Sequence, residues 1–250
     1  MKYTSILLFL HFLLANAYIN INILGTGLFL PYSIGVIGYI KKHIPMQEYR
    51  LTGISGGAWC SLLYAFEDDL SDHDKIWNYT IGDPNIKIVF HNNLNVFHKN
   101  MENNMKKRYK NIQKDTIKNL PISIIGTNYN VKKCKLYNEK VSEFDNINDL
   151  IDFCLCSSYI PYLSGSLMCL EYKNKYYMDG DIMRNRDHTK IGLGNCSITI
   201  HRDMWGRKFN LSNFVYIDRE TSRELFKQGW EDTERNKDFI IKCFRPLLQK

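Results

Sequence analysis

Apolar residues alternate with asparagines over Ile19 to Ile23, near the start of the chain. An alternation with a period of two predicts a β-strand that buries one face. The strand runs into Gly25-Thr26-Gly27, and Ile34, Ile37 and Ile40 then follow at the spacing of one helical face. Residues 19 to 43 are therefore predicted to form a strand, a glycine loop and a helix.

A second strand-to-helix unit follows directly. Tyr49 to Ile54 form a short strand pattern that ends in Ser55-Gly56-Gly57, and the apolar stretch from Ala58 to Phe66 has the length of a helix. Consecutive units of strand and helix predict a parallel sheet with right-handed crossovers.

Strand and helix patterns continue to alternate toward the C-terminus. The predicted strands are Ile86 to Phe90, Ile122 to Tyr129, Ser197 to His201 and Phe214 to Ile217, and the predicted helices are Phe97 to Ile117 and Ile147 to Cys156. Thr221-Ser222-Arg223-Glu224 has the capping-box pattern, which predicts the start of a last helix with Leu225, Phe226 and Trp230 on its packed side. Because no internal repeat or long linker interrupts the pattern, we expect one domain over residues 18–250.

The first residues have the features of a targeting segment. Lys2 precedes an apolar run from Ile6 to Ala15, and Ala15-Asn16-Ala17 places small residues where a signal peptidase cleaves. We expect residues 1–17 to be a cleaved signal peptide of a secreted or secretory-pathway glycoprotein; an uncleaved interfacial anchor or a buried helix is the alternative. Three sequons, at Asn78, Asn195 and Asn210, would then be open to glycosylation.

The charge balance of the chain indicates which classes of binding partner to expect. The 250 residues are 44% hydrophobic, and 33 basic against 26 acidic residues give a net charge of +7. This excess is too small and scattered to require nucleic acid, although it suits an anionic membrane surface. The basic stretch Lys99 to Lys118 is predicted to lie either on a membrane or with its apolar side against the core.

The seven cysteines do not form a recognisable metal motif. None of them belongs to a CxxC pair, and Cys154 and Cys156 are too close together for a zinc ribbon, so no structural metal is expected. Their disulfide pairing cannot be deduced from the sequence. Cys60 is predicted to be a small buried apolar residue of the helix after Ser55.

The segment Gly53-Ile54-Ser55-Gly56-Gly57 fits the G-x-S-x-G pattern of a nucleophile elbow. Glycines on both sides of the serine allow a strand to turn sharply into a helix, with the serine hydroxyl exposed at the turn. The preceding glycine loop can present backbone N–H groups to an oxyanion. A dinucleotide loop is the alternative reading of that loop, but Leu30 stands where its last glycine belongs.

These residues and two later segments resemble the patatin-like phospholipase family, especially its branch similar to adipose triglyceride lipases. Residues 25–30 with Gly35-Val36-Ile37 resemble its oxyanion loop and first helix, and Gly53 to Gly57 resemble its elbow. Ser157-Ser158-Tyr159-Ile160-Pro161 resembles a segment near its active site, and Tyr177-Met178-Asp179-Gly180 resembles the strand end that bears its aspartate. The resemblance implies a three-layer α/β/α fold with a mostly parallel central sheet.

The resemblance also implies a lipid acyl hydrolase with a catalytic dyad and neither a cofactor nor a metal. Ser55 would be the nucleophile and Asp179 the proton acceptor, acting on glycerophospholipids or acylglycerols at a membrane or lipid-droplet surface. The implied oxyanion hole consists of Gly25, Thr26, Gly27, Leu28 and Gly56, and the implied turn glycines are Gly53, Gly57 and Gly180. Burial would raise the pKa of Asp179 while backbone donors would lower it, and the sequence does not say which effect is larger.

Two departures from the family pattern keep other functions open. Many members have glycine at the position of Leu30, and glycine or alanine at the position of Asp181. A catalytically weak lipid-binding protein is therefore one alternative. The other is an α/β-hydrolase in which His188 or His201 completes a triad with Ser55 and Asp179. The sequence does not specify head group, positional preference, acyl length or oligomeric state.

Overall fold

The computed structural model describes residues 18–44, 48–183, 197–209 and 215–248. The predicted signal peptide, His188 and the sequons at Asn195 and Asn210 lie outside the described residues. Within the described ranges, no helix is both long enough and apolar enough to cross a bilayer. Asn78, the remaining sequon, is exposed on a helix.

The fold is mixed α/β and is built around a seven-stranded sheet. The described strands are β1 (Ile19–Ile23), β2 (Tyr49–Ile54), β3 (Ile88–Val89), β4 (Ile122–Asn130), β5 (Lys135–Val141), β6 (Leu170–Tyr172), β7 (Lys175–Met178), β8 (Ser197–Ile200) and β9 (Tyr216–Ile217). The central sheet has the order β6-β7-β4-β2-β1-β8, and β5 also pairs with β4. Four of these strands, β8, β1, β2 and β4, form parallel pairs, as the sequence predicted.

Eight α-helices are described. They are α1 (Leu30–His43), α2 (Gly56–Phe66), α3 (His73–Thr80), α4 (Leu94–Arg108), α5 (Lys114–Lys118), α6 (Ile147–Ser158), α7 (Arg219–Arg235) and α8 (Lys237–Leu248). Helix α1 packs closely against α7, while α2 and α6 lie on the central strands. Ile19, Ile21 and Ile23 of β1 are buried, and on the other face Asn22 is buried and Asn20 half-buried, which is the pattern of a parallel strand covered on both sides.

Several predicted elements differ in the structure. The strand predicted at 86–90 shortens to β3, and the described part of the one predicted at 214–217 contains β9; the two pair antiparallel in a separate two-stranded sheet. Residues 97–117 do not form one helix, because α4 ends at Arg108 and Tyr109 turns inward to donate its hydroxyl to Glu67. The last predicted helix begins at Arg219 rather than at the capping box, since Asp218 caps it by accepting from the Thr221 N–H.

The basic stretch belongs to a helix that is docked on the core. Leu94, His98, Met101 and Met105 form the buried side of α4, while its lysines lie on the other side. Lys106 is paired with Glu102 and with Asp152 of α6. The core-docked alternative therefore describes this helix.

Candidate functional site

Ser55 occupies a sharp turn between β2 and α2. Its backbone has φ 53° and ψ −123°, a region that a non-glycine residue enters only when the surrounding structure holds it there. A Cβ atom on Gly57 would lie 2.0 Å from the carbonyl oxygen of Ile23, so only glycine allows α2 to approach β1 this closely. This is the strained strand-to-helix geometry expected of a nucleophile elbow.

The strand pairing explains how the chain brings Asp179 to Ser55. One edge of β4 is occupied by β5 along residues 124–130, so β2 and β7 share the other edge. Strand β2 runs parallel to β4 and ends with Ile54 opposite Ile125. Strand β7 runs antiparallel and ends with Met178 opposite Thr127, so the two strand ends meet head to head.

Ser55 and Asp179 are hydrogen-bonded at this meeting point. Ser55 Oγ donates to Asp179 Oδ2 at 2.6 Å, and the Asp181 N–H donates to Asp179 Oδ1 at 2.8 Å. The Asp179 backbone is held as well, because its N–H donates to the Tyr159 carbonyl and its carbonyl accepts from Thr127 Oγ1. Both the carboxylate and its backbone are therefore fixed in orientation.

Burial decides the charge state of Asp179. Its side chain is 4% exposed, and desolvation raises its pKa from the ordinary 3.8 to about 6. The hydrogen bonds from Ser55 and Asp181 oppose this rise, and the nearby Asp181 carboxylate adds to it. Of the two opposing effects left open by the sequence, burial is the larger.

The predicted oxyanion loop lies directly beside the elbow. Gly27 has φ +52°, the left-handed conformation that favours glycine, and opens a short 3₁₀ turn whose first N–H groups have no partner within the turn. A Cβ on Gly56 would lie 3.5 Å from the Thr26 N and 3.7 Å from the Gly27 N. Thr26 Oγ1 is also buried here and has no hydrogen-bond partner among the described residues.

Ser55 lines a mainly apolar pocket. The pocket is narrow, with a cavity volume of about 30 Å³, and its walls include Leu28, Leu30, Trp59 and Phe97. A second narrow apolar cavity, also of about 30 Å³, adjoins the first, because Gly27, Leu28, Leu30 and Phe97 line both. Leu30, one of the two departures from the family pattern, is thus part of an apolar wall.

The predicted exposure of the Ser55 hydroxyl is wrong. Ser55 is only 6% exposed, because α4 and the preceding segment cover the elbow with Phe90, Leu94 and Phe97. Sequence reasoning missed this cover, since residues 90–97 are distant from Ser55 in the chain and match no motif. Ser55 therefore faces this pocket rather than open solvent.

A larger and more polar pocket also borders the predicted oxyanion loop. Its cavity volume is about 400 Å³, and its lining includes Asp181, His201, Arg202 and Asp203 in addition to the loop. The carboxylate of Asp181 packs against Gly25, where a Cβ would meet its Oδ2 at 1.9 Å. Asp181, the second residue that departs from the patatin-like pattern, therefore lies beside Ser55 and the loop. His201 lines the same pocket as Asp181, but the Ser55 hydroxyl donates its hydrogen bond to Asp179.

A second cluster of serine, histidine and aspartate was not anticipated. His73 Nε2 lies 2.8 Å from Ser222 Oγ, and His73 Nδ1 lies 3.0 Å from Asp74 Oδ1. Ser222 belongs to the first turn of α7 and lacks the strained elbow of Ser55, while Arg223 and Arg219 bind Asp74. This cluster joins the start of α3 to the start of α7, and we interpret it as a tertiary contact.

The cysteines are thiols in the part of the chain that the structure describes. Cys60 is fully buried in α2, as predicted. No group of three or more His, Cys, Asp or Glu residues in the described ranges is placed to hold a metal ion.

Comparison with known proteins adds no assignment. No protein-family model matches the chain, and no curated protein matches it. The geometry of Ser55 and its neighbours is therefore the basis for a functional interpretation.

Proposed function

We propose that the protein is a lipid acyl hydrolase of the patatin-like type, in which Ser55 is the nucleophile and Asp179 is the base. The observation that carries the proposal is the 2.6 Å hydrogen bond from Ser55 Oγ, at a strained strand-to-helix turn, to a buried carboxylate. A raised pKa makes that carboxylate a better proton acceptor than an ordinary aspartate, while it stays largely ionised at neutral pH.

The reaction proceeds in two halves. Asp179 accepts the hydroxyl proton as Ser55 Oγ attacks the ester carbonyl carbon, and the alcohol leaves with that proton. Water then gives a proton to Asp179 as its oxygen attacks the acyl carbonyl carbon, and the ester bond to Ser55 breaks as Asp179 returns that proton to Ser55 Oγ, which releases the carboxylic acid and the free serine. The N–H groups of Gly27, Leu28 and Gly56 would stabilise the oxyanion formed in each half, with Gly25 and Thr26 shaping the loop.

The two pockets support a lipid ester as the substrate. We place the acyl chain against the apolar walls that Leu28, Leu30 and Phe97 form on one side of Ser55, and these side chains must shift to widen the narrow space between them. The polar pocket beyond the oxyanion loop suits the alcohol part of the ester, whether glycerol or a head group. Glycerophospholipids and acylglycerols at a membrane or lipid-droplet surface are the substrates we propose.

The proposal extends to the patatin-like arrangement of the fold and to the cellular location of the protein. An elbow after only one strand-and-helix unit and an aspartate at the end of β7 match the order of the patatin-like motifs, which supports a patatin-like three-layer arrangement. We propose entry into the secretory pathway from the signal-peptide pattern of residues 1–17. N-terminal sequencing of protein from a secretory host tests it, with cleavage after Ala17 expected and intact Met1 contradicting it.

Hydrolysis of a chromogenic short-chain ester, followed by product analysis with mixed phospholipids and acylglycerols, tests the activity. Ser55→Ala and Asp179→Asn should each lower kcat on the order of a thousandfold or more, because each removes a group that acts in the transition state. A fluorophosphonate probe should label wild-type protein at Ser55 and fail to label Ser55→Ala.

Ser61→Ala is a matched control, since Ser61 is also a buried serine but bonds the Gly57 carbonyl within α2. It should keep both labelling and turnover. Stoichiometric lipid binding without turnover by the wild type would favour the lipid-binding alternative. Wild-type turnover by a folded Ser55→Ala protein would overturn the proposal.

A further inference from the structure

Helix α4 carries a histidine at a position where its neighbours are apolar. Its buried side consists of Leu94, His98, Met101 and Met105, which follow one another at helical spacing. His98 is 6% exposed, and its ring packs near that of Phe97. An aliphatic residue would complete this side at lower desolvation cost, so an imidazole here calls for a physical reason.

One nitrogen of the buried His98 imidazole lacks a hydrogen bond. Its Nδ1 atom is buried and has no hydrogen-bond partner among the described residues. Desolvation lowers its pKa to about 4, so the ring is neutral at physiological pH and offers one N–H donor and one nitrogen acceptor. A buried polar group without a partner is uncommon in a folded protein and is costly.

His98 lines the same apolar pocket as Ser55 and Gly56. The pocket's serine hydroxyls are already engaged: Ser55 Oγ donates to Asp179, and Ser158 Oγ accepts from Trp59 Nε1 and donates to the Cys154 carbonyl. The ring of His98 is therefore the polar side chain of this pocket whose hydrogen bonding is incomplete. A hydrocarbon chain in the pocket would leave it so.

We propose that His98 is a specificity-determining residue that hydrogen-bonds an oxygen-bearing acyl group in the Ser55 pocket, so that the enzyme prefers hydroxylated acyl esters to unsubstituted ones. The proposal rests on the proposed function, because it places the acyl chain on the Leu28 and Phe97 side of Ser55. A site built to hydrogen-bond a substrate hydroxyl discriminates against the analogue that lacks it, since the protein group then stays unpaired.

Internal competition between methyl octanoate and its monohydroxy positional isomers, with the acids released quantified by mass spectrometry, measures the ratio of kcat/KM directly. For wild-type protein we expect at least one isomer to be preferred by about tenfold, the usual size of one hydrogen bond to a buried group. His98→Phe keeps a ring of similar size but no polar atom, and should bring that ratio close to one. His98→Gln keeps an amide that can donate and accept, and should restore part of the preference.

His91→Phe is the matched control, because His91 is an exposed histidine one residue after Phe90. It should keep the wild-type ratio. The role of His98 is overturned if the wild type hydrolyses the plain ester and every isomer equally, or if folded His98→Phe keeps the full preference. Either result leaves the proposed function of Ser55 standing. Absence of all ester hydrolysis together with absence of fluorophosphonate labelling at Ser55 overturns the proposed function, and this inference with it.

Discussion

The side chain of Ser157, at the end of α6, accepts a hydrogen bond from the backbone N–H of Ser55 at 2.9 Å. The same Ser157 hydroxyl donates to the Ile125 carbonyl of β4, and the Ser157 carbonyl accepts from the Gly180 N–H. One residue thus connects the elbow, the central strand and the turn that follows Asp179. Ser157 is fully buried.

Replacing Ser157 by alanine should therefore loosen the elbow. We expect Ser157→Ala to lower kcat about tenfold with little change in KM, because the hydroxyl holds the nucleophile without touching the substrate. Loss of two buried hydrogen bonds should also lower the free energy of unfolding by about 1–3 kcal/mol. Steady-state kinetics and urea denaturation measure the two effects, and an unchanged kcat would contradict this positioning role.

The rate should depend on the ionisation of Asp179. Because the base must be ionised to accept a proton, kcat/KM should rise with pH up to a pKa near 6 and then level off. Asp181→Asn removes a neighbouring negative charge that raises this pKa, so the acidic limb should move to lower pH. A pH profile of ester hydrolysis for both proteins tests the point, and an acidic limb that stays in place would show that Asp181 has no such effect.

The same raised pKa has a consequence for stability. Asp179 binds its proton more tightly in the folded chain than in the unfolded chain, so its contribution to stability falls as pH rises from about 4 to about 6 and stays low above that. At pH 7, Asp179→Asn should therefore stabilise the protein, by about 3 kcal/mol at most, although it abolishes activity. Near pH 4 this difference should largely vanish.

Asp232→Asn should have the opposite effect. Arg207 donates twice to this carboxylate, and its hydrogen bonds help hold the pKa of Asp232 below the ordinary value against the effect of burial. The amide should destabilise the protein at pH 7, since the ion pair is lost. Urea denaturation of both variants at pH 7 and pH 4 compares them, and destabilisation by Asp179→Asn at pH 7 would contradict the assigned direction.

Alanine substitutions at Gly27 and Gly206 distinguish the cost of backbone strain from a role in stabilising the oxyanion. Gly27 and Gly206 both have positive φ, and an added Cβ at either would meet no atom within 4 Å. Gly27→Ala and Gly206→Ala should each cost about 1–2 kcal/mol of stability, the strain of a side chain in the left-handed region. Only Gly27→Ala should also reduce kcat and fluorophosphonate labelling, because it shifts the N–H groups beside Ser55. Equal activity of the two variants would exclude Gly27 from the oxyanion hole.

Histidine should have no part in proton transfer at Ser55. We expect His188→Ala and His201→Ala each to keep most of the activity, since the Ser55 hydroxyl donates to Asp179 directly. Ser222→Ala should likewise leave labelling unchanged, because Ser222 lacks the elbow geometry. A loss of several orders of magnitude for a folded histidine variant would instead favour the triad alternative.

The local sequence pattern was sufficient to predict the secondary-structure elements nearest Ser55. The bounds of β1 and β2 and the turn at Ser55 follow from alternation and glycine spacing, because steric limits on a few consecutive residues decide them. The position of Asp179 at the end of a strand was also predicted, through the resemblance. Strands β5 and β6 were not predicted, because β5 is mostly polar and β6 has only three residues, although each forms a hairpin with a neighbouring strand, β4 or β7.

The state of the site depends on contacts between distant segments. Whether Ser55 is exposed depends on α4, which covers it from forty residues away in the chain. The direction of the Asp179 pKa shift depends on two effects of the packed structure. Exclusion of water raises the pKa, and hydrogen-bond donors to the carboxylate lower it. Neither quantity is a property of a short segment, because solvation and burial arise only when β2, β7 and α6 meet around β4.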